Sequence, residues 1–508
     1  MKKIKVDVKK RVALNTIFIY IRMFIQIIIS LITIRILLNN FGVEGYGVFT
    51  ISSGVITLFS FVNSAMATST QRYLSYYQGG NLKEKQRNVF KSSAILHLFI
   101  AIITLLTLFV TKDIIFNNLL SIDKSFINVA KILYDFLLLG LFFNIISVPF
   151  VAVLYANENI LYDSLILLLQ VIFKLFLAYF IGFCSQEERL IIYSKGIFIM
   201  SFLAFIAYAL FCFYKYNECK IKNKKLDVPL IKEMSHFAIW NIYSNICYVL
   251  NTQGLNVIFN IFLGIKVNAA FGVASQVNNQ IKELSLSLLR AMNPQIMKSE
   301  GMGNKKRTIN ISMFASKIGF FLVSIVSIPS LFVMNDVLSI WLKKVPEFTV
   351  TICIYLLIAT MINQLTVGIN SAIQAIGNIK RFQIVIGSIA FTILPISYFI
   401  LKYNGNINDV LIMLIVVEII TGIIKIKYFS IYTDVKIIEY FKVCILKTIL
   451  SLSIPSIFVY YVYHNYLINS SWLFVYLSMF ITYPFIFYFL SLNSNEKKSI
   501  SNLIFRMK

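Results

Sequence analysis

The chain predicts an all-α integral membrane protein of about 14 transmembrane helices, on three observations. Of its 508 residues 58% are hydrophobic, 15% aromatic and only 14% charged, with a mean hydropathy of +0.78. That much apolar surface does not fit inside a water-soluble globule. The apolar residues also fall into blocks of about 20 or more, the length a helix needs to cross the hydrocarbon layer. Finally, one plan occurs twice: apolar segment, polar glycine turn, second apolar segment, basic glycine-containing loop. From Asn251 to Arg307 it reads as an apolar segment, the turn Gly264-Ile265-Lys266-Val267-Asn268, another apolar segment, Asn293-Pro294, and the loop Gly301-Met302-Gly303-Asn304-Lys305-Lys306-Arg307. At an offset of 222, Gly264 falls on Gly42, Phe271 on Phe49, Ser275 on Ser53, Gly301 on Gly79, Lys305 on Lys83 and Asn310 on Asn88, without a gap. A shared spacing of turn, segment and loop marks a duplicated unit.

In order, the first seven helices are expected near 12–38, 45–67, 92–111, 127–155, 163–183, 190–213 and 236–262. The other seven are expected near 268–292, 313–334, 348–374, 382–401, 408–428, 442–463 and 472–492. The first is too long for a signal-peptide core and lacks a small-residue cleavage site, so it stays as an anchor. The last pair lies outside the duplicated core. Pro149, Pro329, Pro395 and Pro455 fall inside or at the ends of helices and are expected to kink them.

Basic residues test this count. With the amino-terminal Lys2, Lys3, Lys5, Lys9, Lys10 and Arg11 inside, the loops that return inside hold Arg72, Lys83, Lys85, Arg87 and Lys91, then Lys215, Lys220, Lys222, Lys224, Lys225 and Lys232. Later inside loops hold Lys298, Lys305, Lys306 and Arg307, then Lys380 and Arg381, then Lys425, Lys427 and Lys436, and finally Lys497, Lys498, Arg506 and Lys508. The outside loops carry only a scatter, such as Lys112, Lys124, Arg189, Lys266, Lys343, Lys344 and Lys402. This asymmetry follows the positive-inside rule with both termini cytoplasmic. The net charge of +25 is thereby explained as membrane orientation, and no nucleic-acid partner is expected.

The longest basic loop separates helices six and seven. A second echo sets Tyr155-Ala156-Asn157-Glu158-Asn159-Ile160 on Gln374-Ala375-Ile376-Gly377-Asn378-Ile379 at an offset of 219. Six helices therefore repeat as six, and an even number gives parallel lobes forming a V-shaped cavity. The expected divisions are an amino-terminal lobe at 1–214, a basic linker at 215–235, a second lobe at 236–430, and extra helices with a tail at 431–508. The six cysteines show no CxxC and no neighbouring histidine, so free thiols are expected, with no metal site and no cofactor.

Arg35 followed by Phe41-Gly42-Val43-Glu44-Gly45-Tyr46-Gly47 resembles a signature at the end of helix one in lipid-linked oligosaccharide flippases of the polysaccharide-transporter family, in the MATE-like MOP superfamily. The block Asn260-Ile261-Phe262-Leu263-Gly264, Asn268-Ala269-Ala270, Ala274-Ser275-Gln276-Val277 and Ala291-Met292-Asn293-Pro294-Gln295-Ile296 is similar to that family's helix seven to eight region. The resemblance implies two six-helix lobes around a cavity, rocking between inward-open and outward-open states, two extra carboxy-terminal helices, and a polyprenyl-diphosphate-linked oligosaccharide as cargo. Such proteins often carry an acid in the first half of helix seven. Here Asn251 stands at that place, which leaves the position without a carboxylate for cation coupling.

Ionisable groups in a span usually face a cavity or a partner. Arg22, expected near mid-depth in helix one, and Lys174, in helix five, either hold the diphosphate of the cargo or are snorkelling and ion-paired structural groups. Arg35 sits nearer the outer interface, with the same two readings. In helix eight Gln276, Gln280, Glu283, Ser287 and Arg290 recur at steps of four and three and form one polar stripe, with Asn279 at its edge. That stripe either lines the translocation cavity or binds a neighbouring helix. Asn251, Gln253, Asn256 and Asn260 in helix seven, and Asn363, Thr366, Asn370 and Gln374 in helix ten, add groups suited to sugar hydroxyls. Glu283 or Glu418 would carry a coupling proton or sodium ion, or else is a paired structural group. Asp135 is the other intramembrane acid, and the lone His97 reads as structural.

The leading expectation is a flippase moving an undecaprenyl-diphosphate-linked oligosaccharide across a bacterial inner membrane for surface polysaccharide or O-antigen synthesis, alongside membrane lipids and polymerase or assembly proteins. The alternative is a cation-coupled multidrug exporter of the same superfamily. A polytopic glycosyltransferase or polymerase would need catalytic groups on a sizeable outer loop, so no enzyme activity is expected.

Overall fold

The computed structural model describes residues 8–58, 60–119, 126–220, 226–342, 345–466 and 472–498. Lys2, Lys3, Lys5, Lys124, Lys222, Lys224, Lys225, Lys343, Lys344, Arg506 and Lys508 lie outside them. Among the described residues the fold is all helix, and fourteen segments follow the expected order. We number them α1 (8–41), α2 (43–58 and Ser60–Gly79), α3 (Lys83–Ile114), α4 (Ile127–Ala156), α5 (Ile160–Phe180), α6 (Arg189–Lys215) and α7 (228–263). The others are α8 (265–301), α9 (Lys305–Leu342), α10 (Thr349–Gln364 and Val367–Ile376), α11 (Lys380–Lys402), α12 (Ile407–Tyr432), α13 (437–466) and α14 (Trp472–Leu490).

Eleven of these are long and apolar enough to cross a membrane, and α10 is a twelfth if its two parts, bent by 41°, count as one span. Among the described residues, eleven or twelve of the expected fourteen thus meet that test. In α8, which falls short, serines and amides concentrate.

Two compact units divide the chain between Ile242 and Tyr243. In the first unit α4 is the buried centre. Its Leu133, Tyr134, Leu138 and Val153 are almost wholly covered, because α2, α3 and α6 all pack around it. In the second unit α9 has that place, packed against both parts of α10 and covered by α13 and α14. The extra pair is tied down by polar contacts as well as apolar ones. Ser324 Oγ donates to Tyr483 Oη at 3.1 Å, Ser330 Oγ and Tyr476 Oη lie 2.6 Å apart, and the buried Lys317 ammonium is 2.9 Å from Glu496 Oε2.

The division falls inside α7. Helix α7 starts at Val228, and its first turns pack with α2 and α3. Asp227 caps the new helix by accepting from the Leu230 N–H at 3.2 Å, and its other oxygen accepts from Asn88 at 3.3 Å. Ser69 Oγ donates to the Met234 carbonyl at 3.1 Å, and Tyr73 Oη to Glu233 at 3.0 Å. The Arg72 guanidinium lies 5.0 Å from the centre of the Phe237 ring.

The duplication is written into the backbone. Gly42 and Gly264 join α1 to α2 and α7 to α8 with nearly the same dihedrals, φ 70°, ψ 176° and φ 82°, ψ 177°. Only glycine is at ease there. At the far ends of α2 and α8, Asn81 and Gly303 take the left-handed conformation with φ 56° and 72°. Each closes a Schellman motif: Leu82 N–H donates to the Tyr77 carbonyl at 2.9 Å and Asn81 N–H to Gln78 at 3.1 Å, while Asn304 donates to Ser299 at 3.0 Å and Gly303 to Glu300 at 2.9 Å. Every partner is displaced by 222. Glu158 and Gly377, which the second echo aligns, also share positive φ, 58° and 96°.

Candidate functional site

The second unit contains a cavity of about 330 Å³ among α7, α8, α10 and α12. Each of these helices brings polar groups to it because their amides and hydroxyls recur at helical spacing on the enclosed faces. Asn363 of α10 donates to Glu418 Oε2 of α12 at 2.9 Å, and Thr360 donates to Asn278 of α8 at 2.7 Å. Lys282 of α8 donates to Tyr248 Oη of α7 at 3.0 Å, with its ammonium 5.1 Å from the ring centre. Asn256 donates to its own helix at Thr252 O, 3.1 Å away, and the buried Asn251 keeps an unpartnered Oδ1. Lys425, two turns beyond Glu418 on α12, is 3% exposed and lies outside the cavity lining.

Of the expected residues, Asn251, Asn256, Asn279, Asn363 and Glu418 line this cavity. The α8 stripe does not act as one face. Gln276 and Gln280 are exposed, Ser287 is buried, and Glu283 is ion-paired with Arg290 on its own helix, so Glu283 is not a free acid. The face one residue behind it, Ser275, Asn278, Asn279 and Lys282, enters the cavity. Asn370 is half-buried on the second part of α10 and lies outside the cavity lining.

The cation in the cavity lining, Lys282, was not singled out in the sequence. Lys282 stands at steps of four and three from Ser275 and Asn279, a periodicity as regular as that of the stripe. Lys425, counted among the inside cations although it fell within the expected helix at 408–428, is buried on α12. Lys282 and Glu418 are the cation and the carboxylate among the residues that line the cavity.

In the first unit Arg22 is 4% exposed and lies 3.5 Å from Asp163 Oδ2 in the first turn of α5, so it sits near one end of that helix and not at mid-depth. Tyr155 and Tyr208 donate to the two Asp163 oxygens at 3.0 and 2.8 Å. This is the structural ion pair of the two readings given for Arg22. Lys174 is half-buried on α5 and Arg35 is exposed on α1, each outside any ion pair among the described residues. Asp135 is paired with Lys112 at 2.9 Å. His97, fully buried, has Nδ1 2.7 Å from the Ser93 carbonyl, which matches a structural role.

No family model matches the sequence, and no curated protein matches it. Solved structures do resemble the fold. A MOP superfamily transporter from Pyrococcus furiosus, whose binding pocket is described as of reverse polarity and as suggesting a different function, superposes with a TM-score of 0.74 at 15% identity, over 84% of this chain and 96% of that one. An outward-facing multidrug resistance MATE family transporter of the MOP superfamily gives 0.74 at 15%, over 86% and 98%. A MATE in the straight conformation gives 0.74 at 16%, over 85% and 98%. At these identities the likeness is one of architecture: the chain has the all-helical, two-lobe fold of the MOP superfamily transporters.

Proposed function

We propose that the protein is a membrane transporter that flips a polyprenyl-diphosphate-linked oligosaccharide between leaflets by alternating access, with the cavity of the second unit forming part of the path. The observation that carries this reading is the charge and lining of that cavity. Lys282 supplies positive charge for phosphate oxygens, and a low-dielectric surrounding strengthens the attraction. Asn251, Asn256 and Asn279 both donate and accept, so they suit sugar hydroxyls without fixing one stereochemistry. A bacterial inner membrane and a role in surface polysaccharide or O-antigen synthesis, beside polymerase or assembly proteins, follow from this reading.

The test is fluorescence-quench flipping of such a lipid in proteoliposomes. Flipping is expected to require the protein, to fall about tenfold in Lys282→Ala, the loss of one charge-assisted contact of about 1.4 kcal/mol, and to recover in Lys282→Arg. Absence of protein-dependent flipping overturns the reading.

The fold likeness to a multidrug transporter and the presence of Glu418 in the cavity favour a second reading, a proton- or sodium-coupled exporter of cationic compounds. Under it, Glu418→Gln abolishes gradient-driven export of an organic cation while Lys282→Ala leaves export intact. The flippase reading expects no such export.

A further inference from the structure

A second concave site lies in the same unit, away from the cavity just described. It is a groove of about 740 Å³ between the start of α11 and the end of α12. Its polar wall is Arg381 and Lys427, both exposed, and no carboxylate lines it. Neither cation belongs to an ion pair among the described residues. Tyr428 and Tyr432 stand one helical turn apart on the same wall with rings 6.1 Å apart and 27° from parallel. The buried Phe382 meets the Tyr428 ring edge-on at 5.7 Å and fixes it. Val385, Ile424 and Ile431 continue the groove as an apolar wall, with Ile431 63% exposed.

The height of these groups in the membrane selects the ligand. Both helices are apolar spans, Lys380–Lys402 and Ile407–Tyr432, and the groove lies where one begins and the other ends. Cations and tyrosines occupy the water boundary with Ile431 among them, and Val385 and Ile424 lie about one turn further into the span. A ligand matching that order carries negative charge at its head and hydrocarbon below it. A free phosphate would leave the apolar wall unused, and a neutral lipid would leave two cations without a partner.

We propose that this groove binds an anionic phospholipid of the surrounding leaflet, with Arg381 and Lys427 on the headgroup phosphate, Tyr428, Ile431 and Tyr432 beside the headgroup and glycerol region, and an acyl chain along Val385 and Ile424. The site is independent of the transport reading: it contains none of the cavity residues. Basic pockets between helices at a membrane surface recognise anionic headgroups in this way.

Native mass spectrometry of the full chain in detergent, titrated with dioleoyl phosphatidylglycerol, tests it. The first phosphatidylglycerol is expected to bind about tenfold more weakly to Arg381→Gln/Lys427→Gln, as attraction at two charges is lost, with later, weaker lipids unchanged. Ile431→Glu, an exposed substitution that leaves the fold alone, is expected to reduce the first binding event as strongly. Phosphatidylcholine binding is expected to be the same for all three proteins. Equal phosphatidylglycerol affinity in intact and substituted chains overturns the proposal. Binding of glycerol 3-phosphate as tight as that of the lipid also overturns it, in favour of a soluble anion site.

Discussion

In the first unit Arg22 faces Asp163, and two tyrosine hydroxyls occupy the carboxylate oxygens; in the second, Glu418 receives one amide donor and borders a cavity of about 330 Å³. The two units share a glycine hinge of the same conformation and the same loop-closing hydrogen bonds, 222 residues apart. The contrast separates what a duplication keeps from what it releases. Backbone turns are kept, because each one sets the direction of two helices at once. Intramembrane charges diverge, because a charge is tolerated either when sealed by partners or when water reaches it, and either solution fits one scaffold.

The sharpest way to break this contrast is to remove one carboxylate from each unit. Asp163→Ala leaves Arg22 buried without its counter-charge and is expected to destabilise the protein by about 3–5 kcal/mol, seen as loss of monodisperse protein in detergent and a lower Tm. Removing both partners, as Arg22→Met/Asp163→Leu, is expected to restore most of that loss. The hinges come next. Gly42→Ala and Gly264→Ala meet no neighbouring atom within 4 Å, so their cost is backbone strain alone, about 1–3 kcal/mol each and alike in both units. Unequal costs would show that the shared dihedrals do not carry shared strain.

Glu418→Gln is expected to cost under about 1 kcal/mol in stability, since the amide keeps an acceptor for Asn363 and the site borders open space. A loss as large as that of Asp163→Ala would erase the distinction between a sealed and an open charge. The smallest effect concerns thiols. Cys219, hydrogen-bonded to Cys212 and buried, is pushed well above the ordinary thiol range, while Cys184 is half-buried and the other four are covered. Maleimide at pH 8 is therefore expected to label Cys184 and spare Cys212 and Cys219. Labelling of either would open the sealed first unit.

Fourteen helices and the register of the repeat were legible because hydropathy blocks and glycine turns are local signals. Lys425 was not. It fell within the expected helix at 408–428 but was grouped with the basic inside residues Lys427 and Lys436, and periodicity alone does not say that its face is buried. Arg22 was misplaced in depth because counting residues along α1 does not say where α5 begins against it. The break in α10 at Leu365 and Thr366 has no proline to announce it. The choice between the two faces of α8 depended on neighbours that periodicity does not name.

That break gives the extra helices a meaning beyond covering. At the bend the Leu365 carbonyl accepts from Tyr440 of α13 at 2.8 Å, and the Gly368 N–H donates to Ser316 Oγ of α9 at 2.9 Å, itself 3.1 Å from Tyr440 Oη. Asn363, the donor to Glu418, lies two residues before it. The appended pair therefore acts as a keystone: a chain truncated before α13 leaves the Leu365 carbonyl without its Tyr440 donor, two residues from the amide that holds Glu418.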